Sequence, residues 1–233
     1  MKLLITGANR GLGLALTTEA LKRDHKIIAG VRELEHASDP LKQLHALFSN
    51  RLMLVPIDVT DEKTCRLAAE KVKEVFGNIE GIINNAGILT ERDKTIEELD
   101  IDKVQDTFDV NLYGPMRVIK HFLPLLVRGS QSALINISSE AGSFNNAYGG
   151  DYPYALSKHA LNMFTEQLRK YLKEQEVAVY AIHPGWIKTD MGGEQAPGTP
   201  QETARSILDI IEGKKTVTTA SSFIDFKGNP MPF

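Results

Sequence analysis

The chain has one cysteine, Cys65, so no intrachain disulfide can form and packing must hold the fold together. Cys65 stands in a helix-like stretch and reads as a small buried residue, not as a thiol nucleophile. No apolar run approaches the ~18 residues that a membrane span requires. Met1–Ile5 begins like a signal peptide, but Asn9 and Arg10 interrupt it at once. Neither sign of charge is in large excess. The 27 Lys and Arg against 30 Asp and Glu leave −3, without the basic footprint of a nucleic-acid binder. Internal repeats, low-complexity segments and linkers are also missing, and no metal site is assigned. What is left is 233 residues with 42% hydrophobic and 24% charged side chains, an ordinary globular balance. It predicts one domain, 1–233, in a reducing, cytoplasmic setting.

Apolar runs of strand length recur along the chain: Lys2–Ile5, Lys26–Gly30, Leu52–Ile57, Gly81–Ile83, Ala133–Ile137, Val177–Ile182 and Phe223–Phe226. Between them lie stretches of helical period, including a helix predicted from Phe108 through Val127 after a loose polar region at Glu91–Asp102. Two more are predicted from Tyr154 to about Glu174 and from Thr203 to Glu212. Strands alternating with helices predict an α/β fold, a doubly wound parallel sheet of about seven strands with helices on both faces. In such a sheet ligands bind outside the carboxyl ends of the strands.

Those strand ends carry distinctive residues. After the first strand comes Thr6-Gly7-Ala8-Asn9-Arg10-Gly11-Leu12-Gly13, a glycine-rich turn opening a helix, suited to a pyrophosphate. At the second strand tip stands Arg32, with Arg10 in the first turn and no acid at the tip itself. Two guanidiniums favour NADP(H) over NAD(H), although Glu33 and Glu35 are near. Asp58, after the third strand, can meet an adenine amino group or cap a turn. Asn84-Asn85-Ala86-Gly87 leaves room for a flat ligand, and Asn111 is an unfavoured residue inside a helix. His183 reads as a packed strand-end residue. Gly192, Gly193, Pro197, Gly198 and Pro200 mark a short mobile lid around 190–202. Tyr154 and Lys158 are spaced to share a helix face, where an ammonium would lower the phenol from its free pKa of ~10.

Taken together and in order, these pieces resemble the short-chain dehydrogenase/reductase superfamily over nearly the whole chain. The resemblance implies a Rossmann-like fold with Asn111, Ser139, Tyr154 and Lys158 as catalytic residues. It implies a cofactor held by Gly7, Asn9, Arg10, Gly11, Leu12, Gly13, Arg32, Asp58, Val59, Asn85, Ala86, Gly87, Tyr154, Lys158, Pro184, Gly185, Ile187 and Thr189. Tyr152 is a decoy, because Leu156 occupies the lysine position. In the implied mechanism Lys158 bonds the nicotinamide ribose and depresses the Tyr154 pKa, and Tyr154 is the general acid or base. Ser139 polarises the carbonyl, and Asn111 holds a proton-relaying water. The short segment after Thr189 and the ending Phe223–Phe233 look similar to the C-factor-like and sniffer-like carbonyl reductase branch. Tyr148-Gly149-Gly150-Asp151 lengthens the Ser139–Tyr154 interval and alters the loop over the pocket.

The expected function is thus an NADP(H)-dependent oxidoreductase acting on a small carbonyl or alcohol. The expected assembly is a homodimer or homotetramer without nucleic-acid or membrane partners. The alternative is a dinucleotide-binding regulatory or signalling protein with little turnover.

Overall fold

The computed structural model describes residues 1–233. Its seven strands are β1 (Lys2–Thr6), β2 (Lys26–Val31), β3 (Leu52–Pro56), β4 (Gly81–Asn84), β5 (Ala133–Ile137), β6 (Ala178–His183) and β7 (Phe223–Asp225). They form one sheet in the order β3-β2-β1-β4-β5-β6-β7, parallel throughout. Strands covered on both faces need apolar residues at every position, not at alternate ones. β4 and β5 are buried at every residue and apolar except for one amide each, Asn84 and Asn136.

Helices α1 (Gly11–Lys22), α2 (Asp39–Leu47) and α7 (Pro200–Ile211) cover one face. There Leu3, Ile5, Ile27, Ile135 and Ile182 pack with Leu16, Leu21, Leu41, Ile207 and Leu208. Helices α3 (Glu62–Phe76), α5 (Gly114–Phe122) and α6 (Tyr152–Tyr171) cover the other. There Leu4, Ile28, Ile82, Leu134 and Val179 meet Val72, Val118, Phe122 and Leu168. Cys65 belongs to this second core, where burial pushes its thiol up to about 11. The strand order reverses between β1 and β4, and the loops at their C-terminal ends open the crevice expected of such sheets.

Three segments depart from the sequence reading. The helix expected from Phe108 begins earlier, as α4 (Ile101–Phe108), because the Asp100 carboxylate accepts the Asp102 N–H at 2.9 Å and starts it. It does not run on unbroken. Asp109–Tyr113 forms one π-helical turn before α5, and Leu123–Leu125 ends the run as a 3₁₀ turn. The expected lid divides at Pro200, where Thr199 caps the first turn of α7 by accepting the Glu202 N–H at 3.3 Å. The rest is closed on itself. Lys188 N–H donates to the Gly198 carbonyl at 3.0 Å, and the Trp186 indole donates to that of Gly192 at 2.7 Å.

Phe122 is among the largest fully buried side chains and sits at the end of α5 under the sheet. Replacing it with alanine should destabilise the fold by about 3–5 kcal/mol, read as a shifted urea midpoint at constant slope.

Candidate active site

The turn after β1 is locked from β4. The buried Thr6 hydroxyl accepts the backbone N–H groups of Asn85 (3.1 Å) and Ala86 (3.2 Å). The Asn85 amide donates in return to the carbonyls of Thr6 (3.0 Å) and Gly7 (3.2 Å). Gly7 has φ +63°, and a Cβ on Gly13 would stand 2.2 Å from the Gly7 oxygen, so both positions require glycine. No side chain caps α1, which leaves the first helical N–H groups directed into this bare cradle. The arrangement fits a pyrophosphate. Leu12 offers it only backbone, since its side chain lies in the core.

Other predicted cofactor residues turn out to organise this end of the sheet. Asn9 accepts the Ser38 N–H at 2.6 Å and donates to the His36 carbonyl at 3.2 Å, so its amide shapes the loop after β2. Arg10 is paired with Asp190 at 2.7 Å, both exposed, and is not free for a phosphate in this arrangement. Arg32, exposed at the β2 tip, makes no ion pair. Asp58 uses one oxygen to accept the Thr60 N–H (2.9 Å) and hydroxyl (2.7 Å), the turn-capping role left open above. Burial pushes its carboxyl up, but those two bonds and the nearby Arg32 and Arg117 outweigh this and hold it low. Val59 is buried and its carbonyl accepts from Arg117 at 3.0 Å. After β6, the Pro184 carbonyl accepts the Thr203 hydroxyl at 3.0 Å, and Gly185 turns with φ +80°. Ile187 is buried. The Thr189 hydroxyl accepts the Gly192 N–H at 3.1 Å, while its methyl faces Gly11.

The four predicted catalytic residues converge. Lys158 lies on α6 with its ammonium 5.5 Å from the Tyr154 ring centre. It is buried and donates to the Ile137 carbonyl at the end of β5, at 2.7 Å. Ser139, two residues further on, has its hydroxyl beside the Tyr154 phenol. That hydroxyl also accepts the Ala141 N–H at 3.2 Å. Asn111, in the π-turn, is fully buried. Its amide exchanges bonds with the N–H and carbonyl of Ile88, both at 2.9 Å, and donates to the Ser157 hydroxyl at 3.0 Å. Gly87 completes the wall. A Cβ there would stand 3.3 Å from the Asn111 oxygen and 3.7 Å from the Lys158 nitrogen, so the missing side chain keeps the space beside them open.

Residues 2–199 match the family described as short chain dehydrogenase. The chain belongs to the short-chain dehydrogenase/reductase superfamily. The carbonyl reductase Sniffer of D. melanogaster superposes with a TM-score of 0.91 at 30% identity, covering 100% of this chain and 99% of that one. The NADPH-bound carbonyl reductase from chicken fatty liver gives 0.88 at 31% identity, covering 100% and 98%. C-signal of Myxococcus xanthus is 32% identical over 158 residues, 67% of this chain and 94% of its own.

In this chain the electrostatics of the pair differ from expectation. The Tyr154 phenol is raised by burial, which outweighs the favourable Ser139 hydroxyl. Lys158 does not reverse this, because burial brings its own pKa down to about 8 and its proton is directed at the Ile137 carbonyl. His183 conforms: packed at the end of β6, it accepts the Glu140 N–H at 3.1 Å.

The sequence reading missed the polar ladder that fastens α6 to the sheet. Asn84 donates to Asn136 and Asn136 to Thr165, both at 2.8 Å. Ser138 donates to Asn162 at 2.5 Å, and Ser157 to the Tyr154 carbonyl at 2.8 Å. A usable signal was present. Asn136 is an amide inside an otherwise apolar strand, and such a group is retained only when bonded.

The Lys158 value sets a pH dependence. Its folded pKa, about 8, lies below the unfolded one, so between them the unfolded chain holds more protons and stability rises with pH. From pH 8 to 9.5 the urea midpoint of the wild type should gain on that of Lys158→Met. Parallel curves would show that the amine is not buried.

Proposed function

We propose that the protein transfers a hydride between NADP(H) and a small carbonyl or alcohol, with Tyr154 as general acid in reduction and base in oxidation. One observation carries this reading: the Lys158 ammonium stands beside the bare backbone of Gly87 and 5.5 Å from the Tyr154 ring centre, with the Ser139 hydroxyl beside the Tyr154 phenol, next to the turn suited to a pyrophosphate. The nicotinamide supplies or accepts the hydride when bound. The protein must then manage a proton and an oxyanion. Ser139 bonds the substrate oxygen as negative charge develops on it, and Tyr154 delivers the proton. Lys158 bonds the ribose and favours the phenolate as Tyr154 gives up that proton. Asn111 fixes the Ile88 backbone and the Ser157 hydroxyl, and in this reading its oxygen edge holds the water that relays protons to the amine.

Arg32 supports NADP(H) over NAD(H), because a free guanidinium at the β2 tip matches a 2′-phosphate. Arg10 joins it if the Asp190 pair opens. Of the expected lid, 190–202, the part ahead of α7 serves as the lid. Exposed Tyr113, Leu156, Met163 and Tyr171, on and around the helices, offer apolar surface for a homodimer or homotetramer. The similarity to C-signal supports a second reading, a dinucleotide-sensing regulatory protein with negligible turnover.

Tyr154→Phe should lower kcat by about 10²–10⁴-fold with a panel of aldehydes and ketones while the protein still binds NADPH. Full retained activity would sink the assigned mechanism. NADPH binding without oxidation by any of the panel would favour the second reading. Titrations at fixed salt should give tighter binding of NADP(H) than of NAD(H), and Arg32→Ala should narrow the gap. Equal dissociation constants in the wild type would remove the assigned preference.

A further inference from the structure

The loop after β4 carries one cation whose placement the cofactor does not explain. Arg92 is exposed, yet its guanidinium is not adrift. It reaches across the crevice and donates to the Met191 carbonyl, on the segment after β6, at 3.1 Å. The backbone is bent to hold it there. The residues on either side, Glu91 (φ +53°) and Asp93 (φ +64°), are both left-handed without being glycine. Such a conformation is uncommon outside glycine, and in a residue such as Glu91 it needs contacts to hold it. Part of that enforcement is visible, since the Glu91 carboxylate accepts the Asp100 N–H at 3.1 Å at the start of α4.

Arg92 has no carboxylate partner, although acids flank it in sequence. Asp151, the acid on the facing loop, is taken by the Tyr148 hydroxyl at 2.7 Å. A guanidinium has five N–H donors in a rigid fork, and only one contact to protein is made here. Arg92 favours the ionised forms of the Tyr148 and Tyr154 phenols, Asp151 opposes it at both, and burial pushes both phenols up overall. A guanidinium that bonds the Met191 carbonyl from the loop after β4 spans the mouth of the site. The loops at this end expose Tyr148, Trp186 and Met191 together with three cations outside any ion pair, Arg92, Lys94 and Lys188, of which Arg92 alone bonds across the crevice. That is the lining expected for a ligand with an apolar body and one anionic group.

We propose that Arg92 anchors a carboxylate on the substrate, so that the site selects carbonyl compounds carrying an acid group. This deepens the hydride-transfer reading and rests on it. The fork bonds the carboxylate from above while the carbonyl faces Ser139 and Tyr154, which orients the reacting carbon with one contact remote from it.

The test compares 4-carboxybenzaldehyde with benzaldehyde in NADPH oxidation. The wild type should favour the acid in kcat/KM by about 10–100-fold, the range of a charge-assisted hydrogen bond. Arg92→Ala should lose most of that ratio, chiefly through KM, and Arg92→Lys should restore part of it. Equal losses on both aldehydes would mean that Arg92 only supports its loop, and no preference in the wild type would also overturn the proposal. If neither aldehyde is reduced, the hydride-transfer reading is decided by the wider panel. Calorimetric titration of 4-carboxybenzyl alcohol against benzyl alcohol, in wild type and Arg92→Ala, then decides the anion anchor. Tighter binding of the acid that is lost in the variant supports it, and equal binding refutes it.

Discussion

A lysine ammonium held at the end of β5, away from water, has to be solvated by protein dipoles or give up its proton. Lys158 does some of both. The Ile137 carbonyl accepts from it, and its pKa still falls to about 8. Everything around this amine has to be placed with the same care, because a buried charge without partners would favour unfolding. The ladder through Asn84, Asn136 and Thr165, with Ser138 and Asn162 beside it, keeps α6 in register with the strand end that supplies the carbonyl. The phenol of Tyr154 inherits its position from the same helix.

The π-turn at Asp109–Tyr113 belongs to this economy of placement. One widened turn brings the Asn111 amide to the N–H and carbonyl of Ile88 and to Ser157 at once. Such turns often mark functional positions, because they are unfavourable unless side chains compensate for them. Here the compensation consists of three bonds from one amide, and they also keep the Gly87 backbone beside Lys158.

Much of this could be read from the chain. Uniform apolar runs marked all seven strands to within a residue or so, because a doubly covered parallel strand has no polar alternation to confuse the reading. Tyr154, Lys158, Ser139 and Asn111 were legible because each stands at a strand end or on a helix in an order that few other folds require. The misses have physical causes. The start of α4 depends on an Asp100 cap within a run of charged residues, where periodicity is faint. The Arg10–Asp190 pair joins residues far apart in sequence, which no local pattern reports. The Tyr154 phenol was expected low from its neighbour's charge, but local spacing says nothing about how deeply a ring is enclosed, and burial decided the sign.

The sheet falls into two halves that meet at one seam. Strands β3, β2 and β1 carry the glycine turn, Arg32 and Asp58, whereas β4, β5 and β6 carry Asn85–Gly87, the loops around Tyr154 and Pro184–Thr189. The halves are joined where Asn85 grips the carbonyls of Thr6 and Gly7. The lengthened stretch Tyr148–Asp151 and the bent loop around Arg92 both lie on the second half, where a change in either would reshape the mouth of the site without touching the grip of Asn85 on the glycine turn.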